Sequence, residues 1–239
     1  MPNAGVFGIG ADSRPLAGPQ RLQLEWGDEL PDVPALPETL LQMELQLHEF
    51  SIDLREISQL ILNDVGATLQ ILRLAARESG GADGWPLRIE DCISFLGLEA
   101  CLHAAGRRTV LSEARHRGVI ELWAHGREVA HLCRKLAGAT DGSIHPEEAW
   151  WVGQMHVLGL LPGILGWQWP DNAAGSWADK GCKLAELWSL PLCVRDFFAA
   201  AQRPDVESRW SALVRKTHGM ARLTPRCPMC EASGPQLCR

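Results

Sequence analysis

Apolar side chains recur at helical spacing along most of the chain beyond residue 33, and this periodicity limits the fold more than any other feature. In the segment around residue 57, for example, Leu54, Ile57 and Ile61 fall on one face of a helix. Segments with the alternating pattern of a half-buried strand are absent, and β-branched residues are scattered. The sequence therefore predicts an all-α fold in which several amphipathic helices share one core.

Helix start signals and glycines set the expected helix boundaries. Asp53 precedes an apolar stripe, and Glu56 follows three residues later, as in a capping box. Further along, the pattern predicts one helix from residue 99 to about 115 and a separate, longer helix from about 119 to 137. On the longer helix, Ile120 is expected to point into the core.

Composition divides the chain into four parts. Residues 1–33 are rich in Gly, Pro and Ala and lack periodicity, which predicts a flexible N-terminal arm. Residues 34–202 carry most of the helical pattern and are expected to form one compact, multi-helix bundle. Residues 203–222 are expected to contain a C-terminal helix, and residues 223–239 form a cysteine-containing tail.

The chain is acidic, with a formal net charge of -6 at pH 7, so a broad nucleic-acid-binding surface is not expected. Its longest apolar stretch, residues 157–167, is interrupted by Pro162 and is shorter than the ~20 residues of a membrane span. Residues 1–10 lack the basic start and apolar run of a secretory signal. Together with eight cysteines, these features predict a cytoplasmic protein with reduced thiols and no membrane association.

A series of short motifs in a fixed order is the most specific feature of the sequence. The motifs are LPE at 36–38, ILND at 61–64 leading into LQILRLA at 69–75, IEDCISFLG at 89–97, LWAH at 122–125, PEEA at 146–149, GQMHVLG at 153–159 and LWSLP at 187–191. In this order they resemble the HDOD domain, a helical signalling domain related to the HD metal-dependent phosphohydrolases. The resemblance covers about residues 30–202.

The resemblance also implies where a metal site would lie. HD phosphohydrolases are characterised by a His, a later His-Asp pair and a further Asp; His125 matches the first His and His156 the His of the pair, but Val157 stands at the Asp position. Metal-assisted phosphoester hydrolysis with hard divalent ions calls for carboxylate ligands as well as imidazoles. The resemblance thus implies a vestigial site with no catalytic residues and no cofactor, its histidines packed in the core. An alternative is a weak single-metal site with a third ligand such as His131 or His103.

The resemblance, together with the incomplete ligand set, implies a non-catalytic bacterial regulatory module that acts through contact with a protein partner. One alternative is a divergent phosphohydrolase acting on a nucleotide or cyclic dinucleotide, with Asp171 or Asp179 as the missing carboxylate. A second alternative is a nucleic-acid-linked regulator that uses the locally basic segment 203–226 to contact phosphates and binds zinc through its C-terminal tail.

The C-terminal tail carries the candidate cofactor site. Cys227 and Cys230 have the spacing of a zinc knuckle, and Cys238 offers a third thiolate. A structural zinc ion takes four protein ligands, so His218, a core cysteine or a second subunit would have to supply the fourth. The alternative is a tail with three free thiols, and a redox role for the C-x-x-C pair is a further, weaker interpretation.

Overall fold

The computed structural model describes residues 33–221, except for 50, 52, 80–87, 107–111, 140–141, 168–174, 204 and 206–207. In chain order the α-helices are α1 (Pro37–Leu47), α2 (Leu54–Leu62), α3 (Val65–Glu78), α4 (Ile89–Leu96), α5 (Leu98–Ala105), α6 (Glu113–Gly138), α7 (Pro146–Met155), α8 (Leu161–Leu165), α9 (Trp177–Leu187), α10 (Leu192–Ala201) and α11 (Arg209–His218). A 3-10 turn, Leu158–Leu160, separates α7 from α8. The described residues contain no strand, and the all-α prediction is confirmed.

Two aspartates, one exposed and one buried, cap the starts of α2 and α3. The exposed Asp53 caps α2, because its side chain accepts hydrogen bonds from the backbone N–H groups of Arg55 (2.8 Å) and Glu56 (3.3 Å). Asp64 is buried and caps α3 by accepting from the N–H of Ala67 at 3.1 Å. Its second oxygen accepts from the N–H of Leu36 at 2.6 Å, so one carboxylate joins the start of α3 to the segment before α1.

Among the described helices, α6 and α7 make the most extensive contact with each other, and two glycines permit their close approach. A Cβ added to Gly153 of α7 would lie 2.6 Å from Cα of Ala130 on α6. A Cβ added to Gly126 of α6 would lie 2.8 Å from the carbonyl oxygen of Gln154. Any side chain at either position would therefore force the two helices apart.

The C-terminal helix α11 packs against α6, α7 and α10 through a buried stripe. Trp210, Val214 and His218 are spaced by four residues and all point inward. The side chain of Ser208 caps α11 by accepting from the N–H of Ser211 at 3.0 Å. The helix therefore ends with its last residue, His218, against the α6–α7 pair.

The predicted break between two helices near residue 117 is wrong. Helix α6 runs without interruption over Glu113–Gly138, and Gly118 lies inside it. A Cβ at Gly118 would lie 3.1 Å from the Cγ2 atom of Ile164, so this glycine makes room for α8 and does not end a helix. The orientation predicted for Ile120 is also wrong, because 43% of this residue is exposed.

The first 32 residues, which make up nearly all of the predicted arm, and the predicted tail 223–239 lie outside the described residues. Within the described part of the chain, no helix combines the length and apolar character needed to cross a bilayer.

Candidate functional site

Three buried imidazoles meet at the junction of α6, α7 and α11, and we call them the histidine cluster. His125 comes from the middle of α6, His156 directly follows α7, and His218 is the last residue of α11. Their exposed fractions are 0%, 1% and 6%. The Nε2 atom of His156 lies 3.3 Å from Nε2 of His125 and 2.9 Å from Nε2 of His218. One ring nitrogen from each histidine lies within 4.8 Å of the other two.

The tautomer of His156 follows from its backbone partner. Its Nδ1 atom lies 2.6 Å from the carbonyl oxygen of Gly153, and a carbonyl oxygen only accepts hydrogen bonds. Nδ1 therefore carries a proton and donates it. In the neutral ring this leaves Nε2 with its lone pair, on the side of the ring where the other two histidines lie.

Burial favours the neutral form of two rings in the cluster, His156 and His218. The pKa of His156 lies well below its usual range, because burial penalises the imidazolium form and because His218 and His125 are close. Burial also lowers the pKa of His218 to about 4, with a further contribution from nearby His125. Neutral imidazole is the form that binds metal ions, so these two rings need not lose a proton at pH 7 to act as ligands.

The close packing of α6 against α7 sets the geometry of the cluster. Gly126 directly follows His125, and Gly153 lies one helical turn before His156. The close approach of α6 and α7 at these glycines brings the two imidazoles into contact. The buried stripe of α11, with Trp210 and Val214, then places His218 beside them.

An apolar side chain, Val157, directly follows His156 in the sequence. Val157 is 1% exposed and packs beside Gly126, and it stands at the position where the related HD phosphohydrolases have a ligating Asp. Among the described residues, the one group of three or more metal-ligand side chains consists only of imidazoles. A two-metal centre of the HD type does not fit this donor set, because it lacks a bridging carboxylate.

The other candidate ligands from the sequence lie elsewhere. His131 and His103 are exposed and do not belong to the cluster. Asp179 forms a capping box with Ser176 at the start of α9. Asp171, like Cys227, Cys230 and Cys238, lies outside the described residues.

Sequence reasoning missed the third histidine of the cluster. From the sequence alone, His218 is a candidate only for the fourth zinc ligand of the cysteine tail. A usable signal exists, because position 218 continues the apolar stripe of Trp210 and Val214 at four-residue spacing. A histidine in such a stripe is expected to be buried and to need a polar partner.

A family model for the HDOD domain matches residues 33–166, which is more than half of the chain. The chain belongs to the HDOD domain family. His125, His156 and Val157 fall within the matched region of this HDOD protein, whereas His218 and the whole of α11 lie beyond it.

Solved structures share the fold of this HDOD protein. The MmoQ response regulator from Methylococcus capsulatus str. Bath matches with a TM-score of 0.60 and 19% identity, over 84% of this chain and 92% of that chain. A virulence factor from Campylobacter jejuni subsp. jejuni matches with a TM-score of 0.56 and 13% identity, over 80% and 78% of the two chains. At these identities the likeness establishes the fold alone.

A relative known by sequence is a protein of Treponema pallidum (strain Nichols). It is 25% identical to this chain over 142 residues, which make up 58% of this chain. The matched region spans only 28% of that protein's length.

Proposed function

We propose that this HDOD protein is a regulatory module that acts by contact with a protein partner and does not hydrolyse phosphate esters. The observation that carries the proposal is Val157, an apolar side chain next to His156 where the HD pattern has a metal-binding carboxylate. Without that carboxylate the residues at the site cannot hold the pair of hard metal ions that would polarise a phosphoryl group and generate hydroxide.

The burial of the histidine cluster supports the same proposal. Its three rings are between 0% and 6% exposed, so a phosphate ester in solution cannot reach them without movement of a helix. An active site for a nucleotide substrate would instead need an open cleft with polar groups on its walls. The likeness in fold to MmoQ, a response regulator, is in keeping with a regulatory role.

The catalytic half of the proposal is tested by an assay for phosphoesterase activity. The full chain is incubated with a chromogenic phosphodiester, nucleotides and cyclic dinucleotides, each in the presence of Mn²⁺, Fe²⁺ or Zn²⁺. We expect the same background rate for the wild-type protein and for His156→Ala. Turnover by the wild-type protein that His156→Ala abolishes would refute the proposal and favour a divergent phosphohydrolase.

The contact half is tested by site-specific photo-crosslinking in the native host. A photoreactive residue is placed singly at Leu45 on α1, Phe95 on α4 and Leu192 on α10, which are all exposed and lie on separate helices. A partner contact predicts that one position gives a discrete covalent adduct that the other two do not give. Absence of an adduct at all three positions, repeated with a second set of exposed sites, would contradict a stable protein partner.

A further inference from the structure

The histidine cluster brings one ring nitrogen from each of three imidazoles within 4.8 Å of the other two. We infer that it is a mononuclear binding site for a late first-row divalent cation, Zn²⁺ in particular, with the Nε2 atoms of His125, His156 and His218 as ligands. This site differs from an HD-type centre, because it has no carboxylate and because its third ligand comes from α11, outside the region matched by the family.

The distances between the ring nitrogens carry the inference. In a tetrahedral zinc complex with Zn–N bonds of about 2.0–2.1 Å, the nitrogens lie about 3.3 Å apart. In the cluster, Nε2 of His156 lies 3.3 Å from that of His125 and 2.9 Å from that of His218. A shift of His218 by a few tenths of an ångström, within reach of side-chain rotation, would therefore match both distances to the complex.

The hydrogen bond from His156 to Gly153 is the second argument. Histidines that bind metals almost always donate the other ring N–H to a carbonyl or carboxylate, which fixes the tautomer and the ring orientation. His156 makes this bond through Nδ1 at 2.6 Å, so Nε2 is the ring nitrogen that can act as a ligand. Nε2 of His125 lies 3.3 Å and Nε2 of His218 lies 2.9 Å from this atom, so it is next to both of the other proposed ligand atoms.

The ligand set selects the class of cation. Three imidazoles without carboxylate suit Zn²⁺, Cu²⁺, Ni²⁺ and Co²⁺, whereas Mg²⁺, Ca²⁺ and Mn²⁺ prefer oxygen ligands. Three protein ligands leave a fourth position for water or another small ligand. Because the cluster is buried, the ion would hold the helices together, and a substrate would not need to reach it.

Metal binding at this site would tie the C-terminal helix to the family core. The ligands come from α6, from the residue directly after α7, and from α11, which begins more than 50 residues after α7 ends. Because the complete ligand set exists only in the folded chain, a bound ion stabilises the folded state and the docked position of α11. The position of α11 relative to α6 and α7 would then depend on the supply of metal.

The test uses the full chain without a histidine tag, stripped of metal with a chelator and titrated with Co²⁺ and Zn²⁺ at neutral pH. We expect one ion per chain, the visible absorption bands of tetrahedral Co²⁺, and a higher melting temperature with Zn²⁺. The variant His218→Ala should bind Zn²⁺ at least about 100-fold more weakly, since loss of a direct ligand exceeds the 10–100-fold effect of an outer partner. The control His103→Ala removes an exposed histidine from α5 and should bind as the wild-type protein does.

A second variant separates this site from the cysteine tail. A chain with Cys227→Ser, Cys230→Ser and Cys238→Ser should keep the Co²⁺ bands, and X-ray absorption of the wild-type zinc complex should show nitrogen and no sulfur neighbours. This spectroscopic measurement also decides the matter if His218→Ala does not fold. Binding of less than one ion per chain, sulfur ligation, or Co²⁺ bands that survive in folded His218→Ala would each overturn the inference.

Discussion

The contact between α6 and α7 at Gly153 gives a stringent test of the geometry that builds the histidine cluster. In Gly153→Ala, the added methyl group would lie 2.6 Å from Cα and 2.9 Å from N of Ala130, and 3.1 Å from Sγ of Cys133. Two of these atoms are backbone atoms, which cannot rotate away. Since carbon atoms pack at about 3.5–4.0 Å, the helices must separate locally by about 1 Å.

The expected loss of stability follows from this displacement. Overpacking of a core costs about 1–3 kcal/mol, and a clash with backbone belongs at the upper end. Alanine recovers up to about 1 kcal/mol through its higher helix propensity. We therefore expect Gly153→Ala to lower the free energy of unfolding by about 2 kcal/mol.

The matched control is Gly138→Ala at the end of α6, where an added Cβ meets no atom within 4 Å. This control should leave stability unchanged or raise it by up to about 1 kcal/mol. Urea unfolding of both variants, followed by circular dichroism in the presence of a chelator, measures the difference. If Gly153→Ala proves as stable as Gly138→Ala, α6 and α7 do not approach as closely as described, and the spacing of His125 and His156 loses its basis.

Three further predictions concern buried polar groups. Burial lowers the pKa of His218 from 6.5 to about 4. Between these two pKa values the unfolded chain binds a proton that the folded chain does not. The free energy of unfolding should therefore fall by up to about 3 kcal/mol as the pH is lowered from 6.5 to about 4. Urea midpoints measured with chelator across this range test it, and a flat profile would contradict it. Asp64→Ala removes the buried acceptor for the N–H groups of Leu36 and Ala67, and it should lower the free energy of unfolding by about 2–3 kcal/mol. Asp53→Ala removes an exposed cap and should lower it by only about 1 kcal/mol. Equal urea midpoints for the two variants would refute the role of Asp64 in joining α3 to the segment before α1. Buried thiols react slowly because burial raises their pKa, so a thiol reagent should modify at most three of the eight cysteines before unfolding, and the protected five should be Cys92, Cys101, Cys133, Cys182 and Cys193.

Much of the fold could be predicted because local signals and tertiary packing agree. Asp53 caps α2 as its position before an apolar stripe indicates, and Pro146 occupies the first turn of α7, where its missing N–H costs nothing. Gly118 shows where such reasoning fails. A glycine inside a helical pattern suggests a break, but here contact with Ile164 of α8 favours a residue without a side chain. That contact joins distant parts of the chain and leaves no trace in the local pattern.

The candidate site could be predicted only in part, for the same reason. His125 and His156 are predictable because each lies in a family motif. His218 lies more than 60 residues after His156, and its place in the cluster depends on how α11 docks onto α6 and α7. Local periodicity can show that position 218 faces the core, but it cannot show which residues of other helices it will meet.

The chemistry of position 157 and that of position 218 lead to one interpretation of the site. A carboxylate at position 157 would be buried beside neutral rings and would be stable only with a metal ion or another cation as a partner. Valine avoids that cost and adds apolar packing against Gly126. The imidazoles of His156 and His218, in contrast, tolerate burial with or without an ion, because burial lowers their pKa and so favours the neutral form. The closed cluster therefore fits the proposed module, in which a metal ion holds the C-terminal helix and the surface that contacts a partner lies elsewhere.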